Sequence, residues 1–314
     1  MSKKNNLLLI GSHGFLGKNL VNLFNKKGYE RNFNLFEISG KSDLDITEKN
    51  EFKKFINSNK ISHIINSAAY VGGIGFGYSN PADLLSINLN MAHVLYEVSA
   101  QEKVKLLINP ISNCAYPGNL TKYEEELFWE GPPHDSVFNY GISKRAFVAL
   151  GKAYFDQYGL SSVNIVMSNM FGPHDHFEEV RSHALGALVS KIADAKKNNK
   201  EEVIIWGDGS PIREWLYVED GADALLKCLN LNEKDYFFNI GVNKGITIID
   251  LAIIIAKHLS WNGNFVFDKS KPNGVSEKTV VDKFSKNLIN WSPSTELDDG
   301  IKKTVEWYME NNNV

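Results

Sequence analysis

The sequence predicts an α/β protein with a doubly wound parallel sheet, followed by a smaller mixed α/β region. Short apolar strand patterns alternate with helical patterns over the first half of the chain. A glycine-rich turn follows the first strand pattern, and the alternation of strand and helix patterns becomes less regular after FGP at 171–173. Because strands that alternate with helices form crossover units, and crossover units build parallel sheets covered on both faces, these observations predict the fold class.

The elements follow in order along the chain. The predicted strands of the first region are LLLIG (7–11), NLFEI (34–38), HIINSAA (63–69), KLLINP (105–110) and VNIVM (163–167). Apolar residues at helical spacing predict helices over 15–27, 52–60, 81–101 and 140–158. The last third is less regular, with predicted strands at 203–207, 237–241 and 264–268 and helices near 219–230, 247–259 and 297–311.

Composition limits the possible classes of function. The 314 residues are 43% hydrophobic, which is enough for a sizeable core and one or two domains. A net charge of −3 argues against a general nucleic-acid or anionic-membrane binder. The only cysteines, Cys114 and Cys228, lie far apart, and Cys228 sits on an apolar helical face that predicts a core position. Without an apolar run long enough for a signal or a membrane span, we expect a cytoplasmic protein.

The first turn predicts a dinucleotide site. GSHGFLG at 11–17 spaces its glycines as G-x-x-G-x-x-G between a strand and a helix. Gly11 allows the tight turn, Gly14 lets backbone N–H groups approach a pyrophosphate, and Gly17 lets the helix pack on the strand. We therefore predict a Rossmann-type dinucleotide-binding domain and a separate substrate domain. The predicted division is 1–170 for the first domain, with 214–242 returning to it, and 171–213 with 243–314 for the second.

The second strand bears on the choice of dinucleotide. An NAD site usually ends this strand with Asp or Glu, which binds the ribose hydroxyls. Here the segment reads FEISGKSD, and if Glu37 points to the flank of the sheet, the terminal position is Ser39, followed by Lys41. A hydroxyl and a cation suit a 2′-phosphate better than a carboxylate does. The sequence therefore favours NADP(H), and NAD(H) remains the alternative, with Glu37 as the ribose ligand.

A tyrosine and a lysine four residues apart suggest proton transfer. Tyr140 and Lys144 share a helical face, and a nearby ammonium lowers the high pKa of a phenol. Ser112 follows the strand KLLINP, where the carboxyl ends of parallel strands face the ligand crevice. The alternative is a surface lysine beside a half-buried tyrosine, but the glycine turn and Ser112 favour the catalytic interpretation.

These motifs resemble the extended short-chain dehydrogenase/reductase family. They are GSHGFLG, NSAA (66–69), Ser112 and YGISK (140–144). The resemblance implies that Ser112 polarises a carbonyl, that Tyr140 is the general acid/base, and that Lys144 holds the nicotinamide ribose and tunes Tyr140. It also implies a homodimer through the helices of 85–100 and 140–158. Implied coenzyme contacts are Gly11, His13, Gly14, Phe15, Leu16, Gly17, Ser39, Lys41, Asp45, Ile46, Ala68, Ala69, Asn88, Tyr140 and Lys144.

Within that family the substrate side resembles the GDP-L-fucose synthases, which are NADPH-dependent 3,5-epimerases and 4-reductases. The resemblance is carried by AAYVGGIGFGYSNPADLL, SNCAYP, NMFGPHDHFEEVRSHALGALVSK and WGDGSPIREWLYVED. It implies Cys114 and His183 as the epimerising pair. Implied substrate contacts are Asn169, His183, Lys191, Trp206, Arg213 and Lys278, with KPNG at 271–274 nearby. Asn273 and Lys191 depart from the usual Asp and Arg, which leaves the sugar and the base open.

The implied chemistry is self-consistent. A ketone at C4 of a sugar acidifies the hydrogens on C3 and C5, and cysteine and histidine have side-chain pKa values suited to moving such protons. The enolate charge would build on the oxygen that Ser112 and Tyr140 hold, and hydride would then reach C4 as Tyr140 protonates that oxygen. Trp206 could stack on the base or pack in the core. The turn with His174, Asp175 and His176 is expected to line the substrate rather than bind a metal.

The sequence therefore predicts an NADPH-dependent reductase of a nucleotide-linked, GDP-type 4-keto sugar, coupled to epimerisation at C3, C5 or both. Three alternatives stay open. The first is reduction at C4 alone, with Cys114 and His183 uninvolved. The second is redox-neutral epimerisation with the dinucleotide retained. The third is a catalytically silent nucleotide-sensing protein, against which the intact set of Ser112, Tyr140 and Lys144 argues.

Overall fold

The computed structural model describes residues 4–178, 182–271 and 275–312. The strands in these ranges are β1 (Asn5–Ile10), β2 (Phe33–Ile38), β3 (His63–Asn66), β4 (Leu106–Ser112), β5 (Lys122–Tyr123), β6 (Ser161–Met167), β7 (Asn169–Phe171), β8 (Glu202–Trp206), β9 (Ile212–Tyr217), β10 (Asp235–Ile240), β11 (Gly245–Thr247), β12 (Asn264–Asp268) and β13 (Glu277–Val280). The helices are α1 (Phe15–Lys26), α2 (Lys49–Ser58), α3 (Ile74–Ser79), α4 (Pro81–Gln101), α5 (Phe138–Tyr158), α6 (Ala184–Lys197), α7 (Val218–Lys227), α8 (Ile248–Leu259), α9 (Ser285–Ile289) and α10 (Leu297–Asn312).

Six strands form one parallel sheet in the order β10-β6-β4-β3-β1-β2. Each neighbouring pair is parallel, as the alternation of strands and helices predicts. The chain runs from β1 outward to β2 and then returns to the other side of β1 to form β3. In open α/β sheets, ligands bind beside such a reversal, at the carboxyl ends of the strands. The glycine turn lies there, directly after β1.

Both faces of the parallel sheet are covered, which explains why its strands read as continuous apolar runs. Leu8 and Ile10 face a core that includes residues of α2, α4 and α5. Leu7 and Leu9 face a second core, with residues of α1 and α7. Successive side chains of a strand point to opposite faces, so every residue of LLLI is buried.

The remaining strands build a smaller second region. Strands β11, β9, β13 and β5 form a mixed sheet, with β7 paired to β9, and β8 and β12 pair by themselves. A third core holds residues of α6, α8 and α10, together with Trp215 of β9. Strand β5, from the first half of the chain, joins this mixed sheet, while β10 lies at the edge of the parallel sheet.

The predicted elements are present, with shifted ends. The helix predicted at 52–60 begins at Lys49 and ends at Ser58, and α7 gives way at Cys228 to a short 3₁₀ turn. Strands β5, β7, β11 and β13 were not predicted, because two to four residues are too few to show a period. Strand β9 and the short helices α3 and α9 were not predicted either. Cys228 is fully buried, which confirms its predicted core position. In the described part of the chain, no helix combines the length and hydropathy needed to cross a membrane.

Candidate active site

The glycine turn packs too tightly for side chains at two positions. Gly11 has a φ of +80°, and a Cβ atom there would lie 2.9 Å from the backbone nitrogen of Ala68. A Cβ atom at Gly17 would lie 2.0 Å from the carbonyl oxygen of Gly11. Helix α1 therefore begins directly against the turn, with Gly14 at its N-cap. Its free N–H groups and positive helix end are suited to a pyrophosphate.

The end of β3 closes the other side of this turn. The Ser67 hydroxyl donates a hydrogen bond to the carbonyl oxygen of Ile10 over 2.6 Å. Ala68 and Ala69 follow, both partly exposed, and His13 is exposed on the turn itself. These predicted coenzyme contacts therefore surround the carboxyl ends of β1 and β3.

The side chains of some implied coenzyme contacts are buried or point away from the crevice. Leu16 and Ile46 are buried in the two cores of the parallel sheet, so only their backbone can approach a ligand. Phe15 also packs partly against the core. Glu37 pairs in register with Leu9, and partners in a parallel sheet point to the same face. Its carboxylate therefore points to the flank of the sheet, away from the strand end.

Asn88 positions a loop rather than facing a ligand. Its side chain is 0% exposed. Its amide nitrogen donates to the carbonyl oxygens of Tyr70 and Leu84, over 2.8 and 2.7 Å, and its oxygen accepts from the Tyr70 nitrogen over 3.0 Å. Asn88 thus lies behind the loop, and its implied place among the coenzyme contacts stays a prediction. The amide holds the loop after β3 in place, because its two donors and its oxygen are all engaged there.

A network of acidic groups lies after β2. The hydroxyl and the backbone nitrogen of Ser39 both donate to Asp43, the latter over 2.8 Å. Lys41 pairs with Asp45 over 2.9 Å, and Asp45 also accepts from Thr47. These hydrogen bonds lower the pKa of both carboxyl groups. The predicted phosphate-binding hydroxyl and cation are thus each held by a carboxylate.

Ser112 is the last residue of β4 and stands at the carboxyl edge of the sheet. Its hydroxyl oxygen accepts a hydrogen bond from the backbone nitrogen of Cys114 over 3.2 Å. This bond uses an oxygen lone pair and leaves the O–H free to donate. A carbonyl oxygen placed beside Ser112 would therefore receive a hydrogen bond, as predicted.

Helix α5 reaches Ser112 because of a glycine. A Cβ atom at Gly141 would lie 2.6 Å from the carbonyl oxygen of Cys114. Arg145, one turn further along the helix, donates through Nε to the carbonyl oxygen of Ala115 over 2.7 Å. Tyr140 is therefore held beside Cys114, and burial together with this neighbouring cysteine raises the pKa of the phenol.

Lys144 is buried beneath Tyr140. Its Nζ donates to the carbonyl oxygen of Pro110 over 3.4 Å and lies 5.6 Å from the centroid of the Tyr140 ring. Burial lowers the pKa of Lys144 to about 8. Because burial and the neighbouring Cys114 both raise the pKa of the phenol, Tyr140 keeps its proton at neutral pH, and the implied tuning by Lys144 stays a prediction. The neutral phenol that results is the form that can donate a proton.

On the substrate side, the mixed sheet places two cations on one face, and one of them, Lys278, lies near Cys114. Arg213 of β9 and Lys278 of β13 are partners in register, so they share a face. Burial lowers the pKa of both, and the pKa of Lys278 also responds to Cys114 and Arg213. The Glu214 carboxylate accepts from the backbone nitrogen of Val280, which fixes the two strands against each other.

Asn169 continues this wall. It begins β7, and its amide nitrogen donates to the carbonyl oxygen of Glu214 over 3.1 Å. Asn113, between Ser112 and Cys114, donates to the Asn169 side-chain oxygen over 3.5 Å. The predicted substrate contact therefore lies next to the predicted catalytic turn.

Trp206 ends β8 with an exposed ring. The residue is 59% exposed, which excludes the alternative of a core position. The Nζ atoms of Lys191 and Lys271 lie 5.4 and 5.5 Å from the ring centroid, within the range of cation–π attraction. An aromatic base has an open ring face to stack on here. Residues 272–274 of KPNG, including Asn273, lie outside the described residues.

His183 takes the N-cap position of α6. The residue is exposed to solvent, yet the protein around it, together with nearby His176, lowers the pKa of the imidazole. A neutral imidazole can accept a proton. Among the described residues, no side-chain hydrogen bond links His183 to Ser112 or Tyr140. The preceding Arg181 lies outside the described residues.

The neighbouring histidines are engaged elsewhere. The His174 ring lies 4.9 Å from the Trp307 ring, and His176 pairs with Glu178 over 3.0 Å. Asp175 is buried, and this burial raises its pKa to about 7. In the ranges that the structure describes, no group of three or more His, Cys, Asp or Glu residues is arranged to hold a metal ion.

The sequence profile of the NAD dependent epimerase/dehydratase family matches residues 7–241. The chain belongs to this family.

Two relatives and one solved structure are similar to most or all of the chain. The GDP-L-fucose synthase of Sinorhizobium fredii is 35% identical over 277 residues, 87% of this chain and 87% of that protein. The GDP-L-colitose synthase of Yersinia pseudotuberculosis is 30% identical over 311 residues, 98% of this chain and 99% of that protein. A GDP-L-fucose synthetase from Naegleria fowleri, crystallised with NADP, has a TM-score of 0.88 at 26% identity and covers 100% of this chain and 95% of that one.

Several residues that shape the site of this family member were not identified from the sequence. Gly141 and Arg145 appear in the sequence only as parts of a helix pattern, although they bring α5 to the catalytic turn. Lys271 reaches Trp206 from a distant segment, and nothing local in the sequence signals that contact. The contact between Asp43 and Ser39 could have been inferred, because an Asp four residues after a Ser in a turn-forming segment can accept hydrogen bonds from it.

Proposed function

We propose that this family member is an NADPH-dependent oxidoreductase that reduces the 4-keto group of a GDP-linked sugar, after epimerising C3, C5 or both. The observation that carries the proposal is the cluster of Ser112, Cys114, Tyr140 and Lys144 at the carboxyl edge of the parallel sheet, beside the glycine turn. The named activities of the two relatives, both GDP-sugar synthases, support GDP as the nucleotide.

NADP(H) fits the glycine turn, because Gly11 and Gly17 leave a cradle that Cβ atoms would fill. The Naegleria fowleri structure contains NADP. The coenzyme supplies the hydride when it is bound. Backbone N–H groups at the start of α1 would hold its pyrophosphate, and Tyr140 and Lys144 would lie at its nicotinamide end.

Reduction needs a polarised carbonyl and a proton. The free O–H of Ser112 donates a hydrogen bond to the C4 oxygen of the sugar, and the neutral phenol of Tyr140 transfers its proton to the same oxygen. The ammonium of Lys144 then stabilises the phenolate that remains. General acid catalysis of this kind contributes about 10²–10⁴-fold to the rate.

Epimerisation uses the same oxygen site before reduction. The C4 ketone makes the C3 and C5 hydrogens acidic, and the enolate charge develops on the oxygen held by Ser112 and Tyr140. The thiol of Cys114 lies against Tyr140 and near Lys278. His183, neutral near pH 7, supplies the second proton-transfer group. One of the two removes a proton and the other returns one to the opposite face of the sugar ring.

The nucleotide end of the substrate is assigned to the second region. Arg213 and Lys278 face the diphosphate, since two cations on one face match its charge. The exposed ring of Trp206 stacks on the base, with Lys191 beside it, and Asn169 contacts the sugar. In this division of roles, 1–170 and 214–242 hold the coenzyme, while 171–213 and 243–314 hold the substrate.

The assembly and setting complete the proposal. Helices α4 and α5 pack against each other, and exposed Phe138 and Tyr158 at the two ends of α5 support a homodimer through this pair. Light scattering of the purified chain would show a single species of twice the chain mass.

The free thiols of Cys114 and Cys228 support a reducing, cytoplasmic setting, in which the enzyme supplies a sugar nucleotide for polysaccharide or glycoconjugate synthesis.

The decisive experiment is a panel of GDP-, dTDP- and CDP-linked 4-keto sugars with NADPH. Coenzyme oxidation is followed by absorbance, and products are identified by NMR. We expect turnover with a GDP-linked sugar above the other nucleotides. Turnover with none of the sugars contradicts the proposal.

Reduction at C4 without epimerisation is the second candidate, because no hydrogen bond in the described residues ties His183 to the Ser112–Tyr140 cluster. Turnover in deuterated water separates the two. Deuterium at C3 or C5 of the product indicates epimerisation, and deuterium at neither carbon indicates reduction alone.

A further inference from the structure

The adenosine end of the coenzyme crevice is formed by the segment after β2. The backbone nitrogens of Gly11 and Ser12 both donate to the carbonyl oxygen of Ile38, over 2.7 and 3.2 Å. Ser39 is therefore bound directly beside the glycine turn. Any group that contacts the adenosine ribose from this side comes from Ser39 or the turn that follows it.

That turn places a carboxylate next to Ser39. Asp43 accepts hydrogen bonds from both the nitrogen and the hydroxyl of Ser39. These hydrogen bonds lower the pKa of Asp43, so it is ionised at neutral pH. The carboxylate is therefore held on the segment that would border the ribose.

Positive charge is scarce at this place. The ammonium of Lys41 is paired with Asp45 over 2.9 Å. Before Arg145 the sequence contains one arginine, Arg31, and it precedes β2, at the opposite end of the strand. An arginine is the usual ligand of a 2′-phosphate, because its planar fork binds phosphate oxygens in pairs.

We propose that Asp43 weakens the preference for NADPH: its carboxylate accepts a hydrogen bond from the 2′-hydroxyl of NADH and opposes the 2′-phosphate of NADPH, so the enzyme accepts NADH beside NADPH. This inference rests on the proposed coenzyme function. For NADPH to bind, Asp43 must release Ser39, whose hydroxyl and N–H then become donors for the phosphate. Loss of the Asp43 charge should therefore favour NADPH.

Ligand fragments test this without any sugar. Adenosine 2′,5′-bisphosphate and AMP differ only in the 2′-phosphate, and calorimetry gives their affinities. We expect the wild type to bind the two within about tenfold, and Asp43→Asn to shift their ratio about tenfold toward the bisphosphate, since one charge contact is worth roughly 1–2 kcal/mol. The asparagine oxygen can still accept from the Ser39 nitrogen, so the turn is kept. Asp43→Ala provides a second variant without that acceptor.

Glu30→Gln is the matched control, because Glu30 is exposed before β2 and makes the same change of charge. It should leave the ratio unchanged. The proposal is overturned if Asp43→Asn leaves the ratio unchanged, if Glu30→Gln shifts it equally, or if the wild type binds the bisphosphate more than about a hundredfold tighter. With a sugar substrate that the enzyme reduces, Asp43→Asn should also raise the ratio of kcat/KM for NADPH to kcat/KM for NADH. If no sugar is reduced, the fragment affinities still decide the role of Asp43.

Discussion

The coenzyme half and the substrate half of this molecule differ in how their functional side chains are held. Around the parallel sheet, each reactive group is fixed by backbone contacts: Ser112 by the Cys114 nitrogen, Lys144 by the Pro110 oxygen, and Tyr140 by the close approach at Gly141. Lys144 is buried, Ser112 and Tyr140 are partly buried, and all three are held at the end of β4 or on the helix packed against it.

In the second region the equivalent groups are more open. Trp206 is largely exposed, with lysine side chains as its ring neighbours, and Arg213 and Lys278 depend on the pairing of two short strands. From this difference we infer that the reaction type depends on groups fixed at the parallel sheet, while the choice of sugar and base depends on less constrained side chains. The relatives fit this view, since their names share GDP and differ in the sugar.

The largest expected effect comes from removing one oxygen in the coenzyme half. Tyr140→Phe should lower the rate of reduction about 10²–10⁴-fold, because the phenol is the proposed proton donor. NADPH affinity, measured by fluorescence, should stay within about threefold, because the ring and its packing remain. Unchanged turnover would remove Tyr140 from the mechanism.

A smaller loss, confined to one step, should follow Cys114→Ser. Removing the thiol should slow deuterium exchange at the epimerised carbon about 10²-fold, since one proton-transfer group is lost. Reduction of a substrate that already has the product configuration should continue. Cys228→Ser, at the buried cysteine of the core, serves as the control and should leave exchange intact. Equal exchange in Cys114→Ser and the wild type would support reduction alone.

The same contrast explains what the sequence could predict. Tyr140, Lys144 and the glycine turn are local patterns on long elements, and Ser112 follows from a strand end, so all of them could be found without a structure. The partnership of Arg213 with Lys278 joins segments 65 positions apart in the chain through strands of six and four residues. Such short strands form only against their partners, so no local period reveals them.

The buried ammonium gives a pH-dependent prediction. Burial lowers the pKa of Lys144 from 10.5 to about 8. Between these values the folded lysine is neutral while the unfolded one is still protonated, so the unfolded state binds more protons and the stability of the wild type rises with pH. Relative to Lys144→Met, the wild type should gain at most about 1.4 kcal/mol per pH unit from pH 8 to 10.5.

Denaturant unfolding of both proteins at pH 7, 8.5 and 10 would measure this gain. Lys152→Met is the control, because Lys152 is an exposed lysine on the same helix. A wild type that loses stability relative to Lys144→Met over this interval would contradict the burial of the charge.

The smallest effect is expected at the most open contact of the substrate half. Trp206→Ala should raise KM for the nucleotide sugar about tenfold, because stacking of a base on an aromatic ring contributes roughly 1–3 kcal/mol. The free energy of unfolding should change by less than about 0.5 kcal/mol, since the ring is mostly exposed. Trp206→Phe keeps an aromatic face and should restore most of the affinity. A fall in kcat with KM unchanged would instead place Trp206 among the groups that position the sugar. Catalysis and substrate binding would then not be separated between the two halves.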